Sequence, residues 1–188
     1  MKSGLLTCFI TFAILATAPL FAESDEAADN ATMKEFLKSD IVKKFNDSAY
    51  GYAVFPTIGK GGLGLGGAHG KGRVYRNGKL SGNVTMTQLS IGFQAGGQAY
   101  SQVVFFEDKR AYEEFTGGNF EFGAQAEAVA ITVGAGAGIG TEGKTANKNR
   151  EQADTKYHKG MAVFTMAKGG LMYQASIGGQ KYKFEPVK

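Results

Sequence analysis

The sequence predicts an α+β domain made mainly of antiparallel, glycine-rich strands, arranged as a barrel or a sandwich, with an N-terminal helix and one short internal helix. Apolar residues recur at helical intervals in only two stretches. Period-two patterns and short apolar runs fill most of the rest, and 28 glycines punctuate them against 3 prolines. Many short strands with little helix are the pattern of a β-sandwich or barrel.

The chain of 188 residues opens with Lys2, a nearly uncharged run from Leu5 to Leu20, the small residue Ala22 and then the acid Glu23. This order predicts a secretory leader, residues 1–22, cut after Ala22. The run is shorter than the roughly 20 apolar residues a spanning helix needs. Residues 23–188 are then one exported domain of the periplasm or cell envelope. The only cysteine, Cys8, leaves with the leader, so no disulfide, thiol nucleophile or thiolate metal site is expected. Loss of Lys2 takes the basic count from 21 to 20 against 17 acids, and the resulting net charge of +3 permits contact with anionic lipid and does not call for nucleic acid.

Met33, Phe36, Leu37, Ile41, Val42 and Phe45 recur at helical spacing, and Thr32 and Glu35 have capping-box spacing. Together they predict one helix beginning at Thr32. Lys34, Lys38, Lys43 and Lys44 take other positions around it. The plain reading is a helix docked by its apolar stripe with its lysines in water. The sharper one is an amphipathic helix resting on a membrane surface.

Strands follow. Tyr50 to Phe55 is apolar and is expected to stop at Pro56. Asn77-Gly78, between Arg73–Arg76 and Lys79–Ser81, predicts a tight hairpin, because both turn positions need positive φ. Leu89, Ile91, Phe93 and Ala95 alternate with Ser90, Gly92 and Gln94, and Ala99 to Phe106 forms another run. A short helix is predicted from Asp108 to Phe115, ended by Gly117-Gly118. Phe120–Ile139, Met161–Ala167, Leu171–Ile177 and Lys181–Phe184 read as further strands, and Thr141–His158 as a loop. Gly62, Gly64 and Gly66 are expected on one bare strand face, a seat for a helix or a second sheet. Lys60-Gly61-Gly62-Leu63 with Gly66-Gly67 is echoed by Lys168-Gly169-Gly170-Leu171 with Gly178-Gly179.

Enzymatic motifs are thin. Gly138–Thr145 fits the phosphate-loop expression GxxxxGK[ST], with Lys144 as its lysine. A working loop must leave a buried parallel strand and open a helix, and Ala146–Arg150 lacks an apolar stripe. Gly62–Gly67 satisfies GxGxxG without an alternating strand–helix pattern around it. His69 and His158 are far apart, and no nucleophile elbow is present. Glu107, Asp108, Glu113 and Glu114 read as a solvated helix face. No catalytic residue, metal or cofactor is expected.

Ala49–Pro56, Gly61–Gly72, Ser90–Gln98, Phe120–Ala126 and Ala167–Gly179, taken in order, resemble the signature blocks of the lipid-binding SYLF family, in its exported proteobacterial form. The resemblance spans roughly residues 33–183. It implies a non-catalytic domain with affinity for anionic phospholipid, phosphoinositide in eukaryotic relatives and actin in the yeast branch. No partner module of the kind eukaryotic members carry, such as an SH3 domain, is expected in these residues. The expected contacts are Lys60, Lys71, Arg73 and Arg76 beside glycine-rich turns, with Lys34, Lys38, Lys43 and Lys44 as a second group. Exposed backbone N–H groups and a neighbouring cation can hold a phosphate together. The alternative reading is an envelope structural or interaction module that binds another protein or its own copy.

Overall fold

In the computed structural model, which describes residues 20–122, 131–132 and 156–187, three strands dominate: β1 (Gly51–Arg76), β2 (Lys79–Phe106) and β5 (Met161–Pro186). The strands of 26, 28 and 26 residues would each measure about 85–95 Å if straight, against a radius of gyration of about 16 Å for a globular chain of this length. They must therefore bend. The bend shows in β1, whose two halves lie against each other. A Cβ at Gly51 would fall 2.6 Å from the Tyr75 carbonyl oxygen, and one at Gly70 would fall 2.5 Å from Ile58 Cγ1. One at Gly72 would overlap the Val54 carbonyl and the Phe55 ring. These pairs place the turning point near Gly62–Leu65. There Gly64 has φ +74° and the pairing to β2 slips, with Leu63 opposite Ala95 but Leu65 opposite Ile91. We call the bend the apex and the opposite end the base.

The sheet order is β1-β2-β5-β3, with β3 (Asn119–Phe122) on β5 and the two-residue β4 (Ile131–Thr132) also on β5. All these pairings are antiparallel except β4 with β5. Among the described residues the sheet is open and does not close into a barrel, one of the two arrangements expected; the sandwich-like layers arise because one sheet folds over on itself. Asn77 and Gly78 turn the β1–β2 hairpin with φ 51° and 72°, as the sequence predicts. Pro56 does not end β1: β1 is an edge strand, where proline is tolerated, and the pairing is irregular between Phe55 and Ile58. The remainder of the strand expected over Phe120–Ile139, and most of the loop expected over Thr141–His158, lie outside the described residues.

Two apolar clusters hold the base. On the inner side Ala53, Phe55, Val74, Val104, Phe106 and Val163 pack with Phe115 and Tyr182. On the outer side Val54, Val103, Phe105 and Phe164 pack with Met33, Phe36, Val42 and Phe45. Strands covered on both faces read as continuous apolar runs, which is why Val103–Phe106 and Met161–Phe164 show no alternation. The outer layer is two helices, α1 (Leu20–Phe36) and α2 (Asp40–Ser48), where the sequence predicted one. Thr32 lies within α1 and caps nothing. The helix extends upstream of it to Leu20 and carries Asp29, whose partners on the sheet are described below. The internal helix, α3 (Lys109–Thr116), lies where expected, and its N-cap Asp108 accepts a hydrogen bond from the Ala111 N–H at 2.7 Å.

Candidate functional site

Charge is unevenly spread over this frame. From Ser48 to Phe106 the chain has no Asp or Glu. The three long strands carry Lys60, Lys71, Arg73, Arg76, Lys79, Lys168, Lys181 and Lys183 against one carboxylate, Glu185. The remaining acids of the described residues sit on the helices, on β3 or beside α3. The folded sheet is thus a basic body with its acids held at the periphery.

The residues expected to bind phosphate do not gather at one place. Lys60 lies two positions beyond the fully buried Ile58, on the same side of the strand and close to the apex. Burial pushes its ammonium below the ordinary lysine range. Lys71 is exposed and pairs in register with Thr85. Arg76 is exposed at the base, with its guanidinium carbon 5.5 Å from the Tyr112 ring centroid. The helix lysines also lie at the base. Lys38 is paired with Glu35 at 2.7 Å and Lys43 with Asp40 at 3.0 Å. Such exposed pairs contribute about 0–1 kcal/mol and exchange easily for another anion. Lys34 is exposed, and Lys44 borders an open groove of 510 Å³ lined by Phe45, Ser48, Glu107, Lys156 and Tyr157.

Arg73 stands apart from the others. It is 9% exposed, and its Nε donates to Asp29 Oδ2 at 2.5 Å. A terminal nitrogen donates to the Asp25 carbonyl, and Tyr75 Oη donates to the same Asp29 oxygen at 2.6 Å. Burial pushes the Asp29 carboxyl above its usual range, and the bonds from Arg73 and Tyr75 offset part of that rise. Arg73 is therefore a clasp fastening α1 to β1, with its guanidinium already engaged.

Sequence reasoning missed the apex. Leu63 is 85% exposed, Leu65 68% and Leu89 75%, while Ser90 is 2% exposed. The period-two pattern of β2 is thus inverted at Leu89, with the leucine outward and the serine inward. The glycine echo has a structural meaning here: Gly66 and Gly67 pair with Ser90 and Leu89, which pair in turn with Gly178 and Gly179. The two glycine pairs cross the bend on the same rungs. Gly62 and Gly66 are crowded within this bend rather than forming a seat for another element. A visible signal was available in leucines alternating with glycines inside a stretch free of acids.

Gly62–Gly67 lies inside one strand and opens no helix, so its dinucleotide fingerprint lacks the required context. Gly138–Thr145 lies outside the described residues. Asp108 caps α3, and Glu113 and Glu114 pair with Lys109 at 3.3 Å and Arg110 at 3.1 Å. Among the described residues no group of three or more His, Cys, Asp or Glu is placed to hold a metal ion, and no helix is long and apolar enough to cross a membrane.

Residues 87–185 match the family model described as "Ysc84: Las17-binding protein actin regulator". Beta cell expansion factor A of Aeromonas veronii is 32% identical over 157 residues, covering 82% of this chain and 53% of that protein. The chain thus spans about half the length of that curated relative. No solved structure matches the chain. The family match runs from the middle of β2 to the end of β5, through the strands that build both base and apex, and the chain belongs to this family, the SYLF family.

Proposed function

We propose that the protein is an exported, non-catalytic lipid-binding protein of the bacterial envelope, with residues 1–22 as its leader and residues 23–188 as its working domain. Its ligand is an anionic phospholipid surface, held peripherally and reversibly. The observation that supports this is the exclusion of carboxylates from the long strands, which leaves their cations without local acidic competition over most of the sheet. Lys60 and Lys71 are the proposed contacts on the sheet; Arg76 and the helix lysines Lys34, Lys38, Lys43 and Lys44 lie at the opposite end and form a second, separate set. Arg73 is left out because Asp29 already holds it. Each cation near such a surface contributes on the order of 1 kcal/mol, so three or four give reversible attachment.

Co-sedimentation of residues 23–188 with vesicles tests the reading. Binding is expected to anionic vesicles at low salt, to weaken several-fold at high salt, and to be weak on neutral vesicles. Binding indifferent to both lipid charge and salt would contradict the electrostatic mechanism.

A further inference from the structure

We propose that the apex of the folded sheet is a membrane-inserting tip, with Leu63, Leu65 and Leu89 entering the acyl boundary of an anionic leaflet. The inference rests on the lipid-surface reading above and adds the site and depth of contact. Its starting point is a physical anomaly. Three leucines in the interior of long paired strands are 85%, 68% and 75% exposed, while the same strands bury Ala68, Val84 and Met86 a few residues away. Scattered single exposed leucines are ordinary, but these lie together. Leu65 pairs with Ile91, Leu63 with Ala95, and Leu89 with Gly67, two rungs beyond Leu65. A clustered exposed apolar patch marks an interaction surface.

Charge identifies the partner. Lys60 on β1 and the exposed Lys168 on β5 lie just below the apex, and Lys168 Nζ reaches Thr57 Oγ1 at 3.1 Å across β2. His69 and Lys71 are exposed on the other arm of β1. No carboxylate lies on β1 or β2, and Glu121 on β3 is held by Lys181 at 2.9 Å. An apolar tip with a cationic collar matches an anionic bilayer, whose headgroups meet the collar and whose acyl chains meet the tip. The bend gives the tip its form: with Gly61, Gly62, Gly64, Gly66 and Gly67 around them, the leucines stand on a narrow ridge. The partly desolvated Lys60 ammonium would gain a phosphate partner as it approached the surface.

The chain has no tryptophan, so Leu65→Trp reports on the apex alone, and Leu80→Trp, at a 41% exposed position beside the base hairpin, reports on the opposite end. Each variant is mixed with anionic vesicles containing bromine-labelled acyl chains, with co-sedimentation run in parallel. The expected result is a blue shift and quenching of indole fluorescence in the Leu65→Trp protein, with little change in the Leu80→Trp protein. In addition, Leu63→Ser with Leu65→Ser, which keeps the charge, should weaken vesicle affinity about tenfold or more without loss of folding. Sedimentation of the Leu65→Trp protein with vesicles but no quenching of its indole would overturn the insertion and leave peripheral lipid binding intact. Absence of sedimentation would overturn both. A blue shift in the Leu65→Trp protein that grows with protein concentration in the absence of vesicles would overturn the proposal by assigning the apex to self-association.

Discussion

At the base of the sheet, Val103–Phe106 and Met161–Phe164 are buried; at the apex, Leu63, Leu65 and Leu89 of the same sheet stand in water. The base has an apolar cluster on each face, three helices around it, and a buried ion pair fastening one of them. Among the described residues the apex has glycines, exposed leucines and cations, and the buried apolar residues of the described helices pack in the two clusters of the base. The difference teaches that the long strands do two jobs. Their ends make the core, and the middle of β1, where glycines alternate with Leu63 and Leu65, makes a surface. Stability should therefore be sensitive at the base and insensitive at the apex, and association with lipid should follow the reverse order.

The largest expected effect is at the clasp. Arg73→Ala leaves Asp29 buried without its guanidinium, and breaking such a pair costs about 3–5 kcal/mol. Urea unfolding should show it, whereas Leu65→Ser should shift stability by no more than about 0.5 kcal/mol. Equal losses at the two positions would erase the contrast between the ends. Next come the glycines. Gly72→Ala drives a methyl into the Val54 carbonyl and the Phe55 ring and should cost about 1–3 kcal/mol. At Gly59 an added methyl meets nothing within 4 Å, so Gly59→Ala should be neutral to within about 0.5 kcal/mol, read from the same unfolding curves.

Much of the base was legible in sequence, and much of the apex was not. The Asn77-Gly78 turn and the short helix beginning at Asp108 are local chemistry, set within a few residues, and both lie where the sequence puts them. The continuous apolar runs of β2 and β5 likewise announced strands. Leu89 misled because alternation reveals which residues share a face but not which face is covered; here Ser90 has the buried side. The Arg73–Asp29 bond spans 44 residues in sequence, and no local pattern joins an arginine on a strand to an acid in a helix. The same gap hid the start of α1 and made Arg73 resemble an open cation. Most of the expected lysines are surface residues, yet they divide between apex and base rather than forming one cluster.

A smaller effect sharpens the account of the clasp. Because burial raises the Asp29 pKa, the folded state holds that proton more tightly than the unfolded chain. The contribution of Asp29 to stability is then fully present below about 3.8 and is lost as pH rises through its raised folded value. Asp29→Asn should make the decline of stability with pH shallower in that window, measured by thermal unfolding at a series of pH values. An unchanged slope would mean that Asp29 is not the group responsible. The smallest loss among the destabilising changes is expected at Asp108→Ala, where removal of the α3 cap should cost about 1 kcal/mol in the same assay.

The most direct test of the division between base and apex is amide hydrogen exchange of residues 23–188, alone and with anionic vesicles. The account expects new protection on the vesicles at residues 60–67, 89–98 and 168–173, with the amides of Val103–Phe106 protected to the same degree in both states. Protection gained instead along α1 and α2, with the apex unchanged, would contradict it and move the lipid contact to the helix lysines at the base.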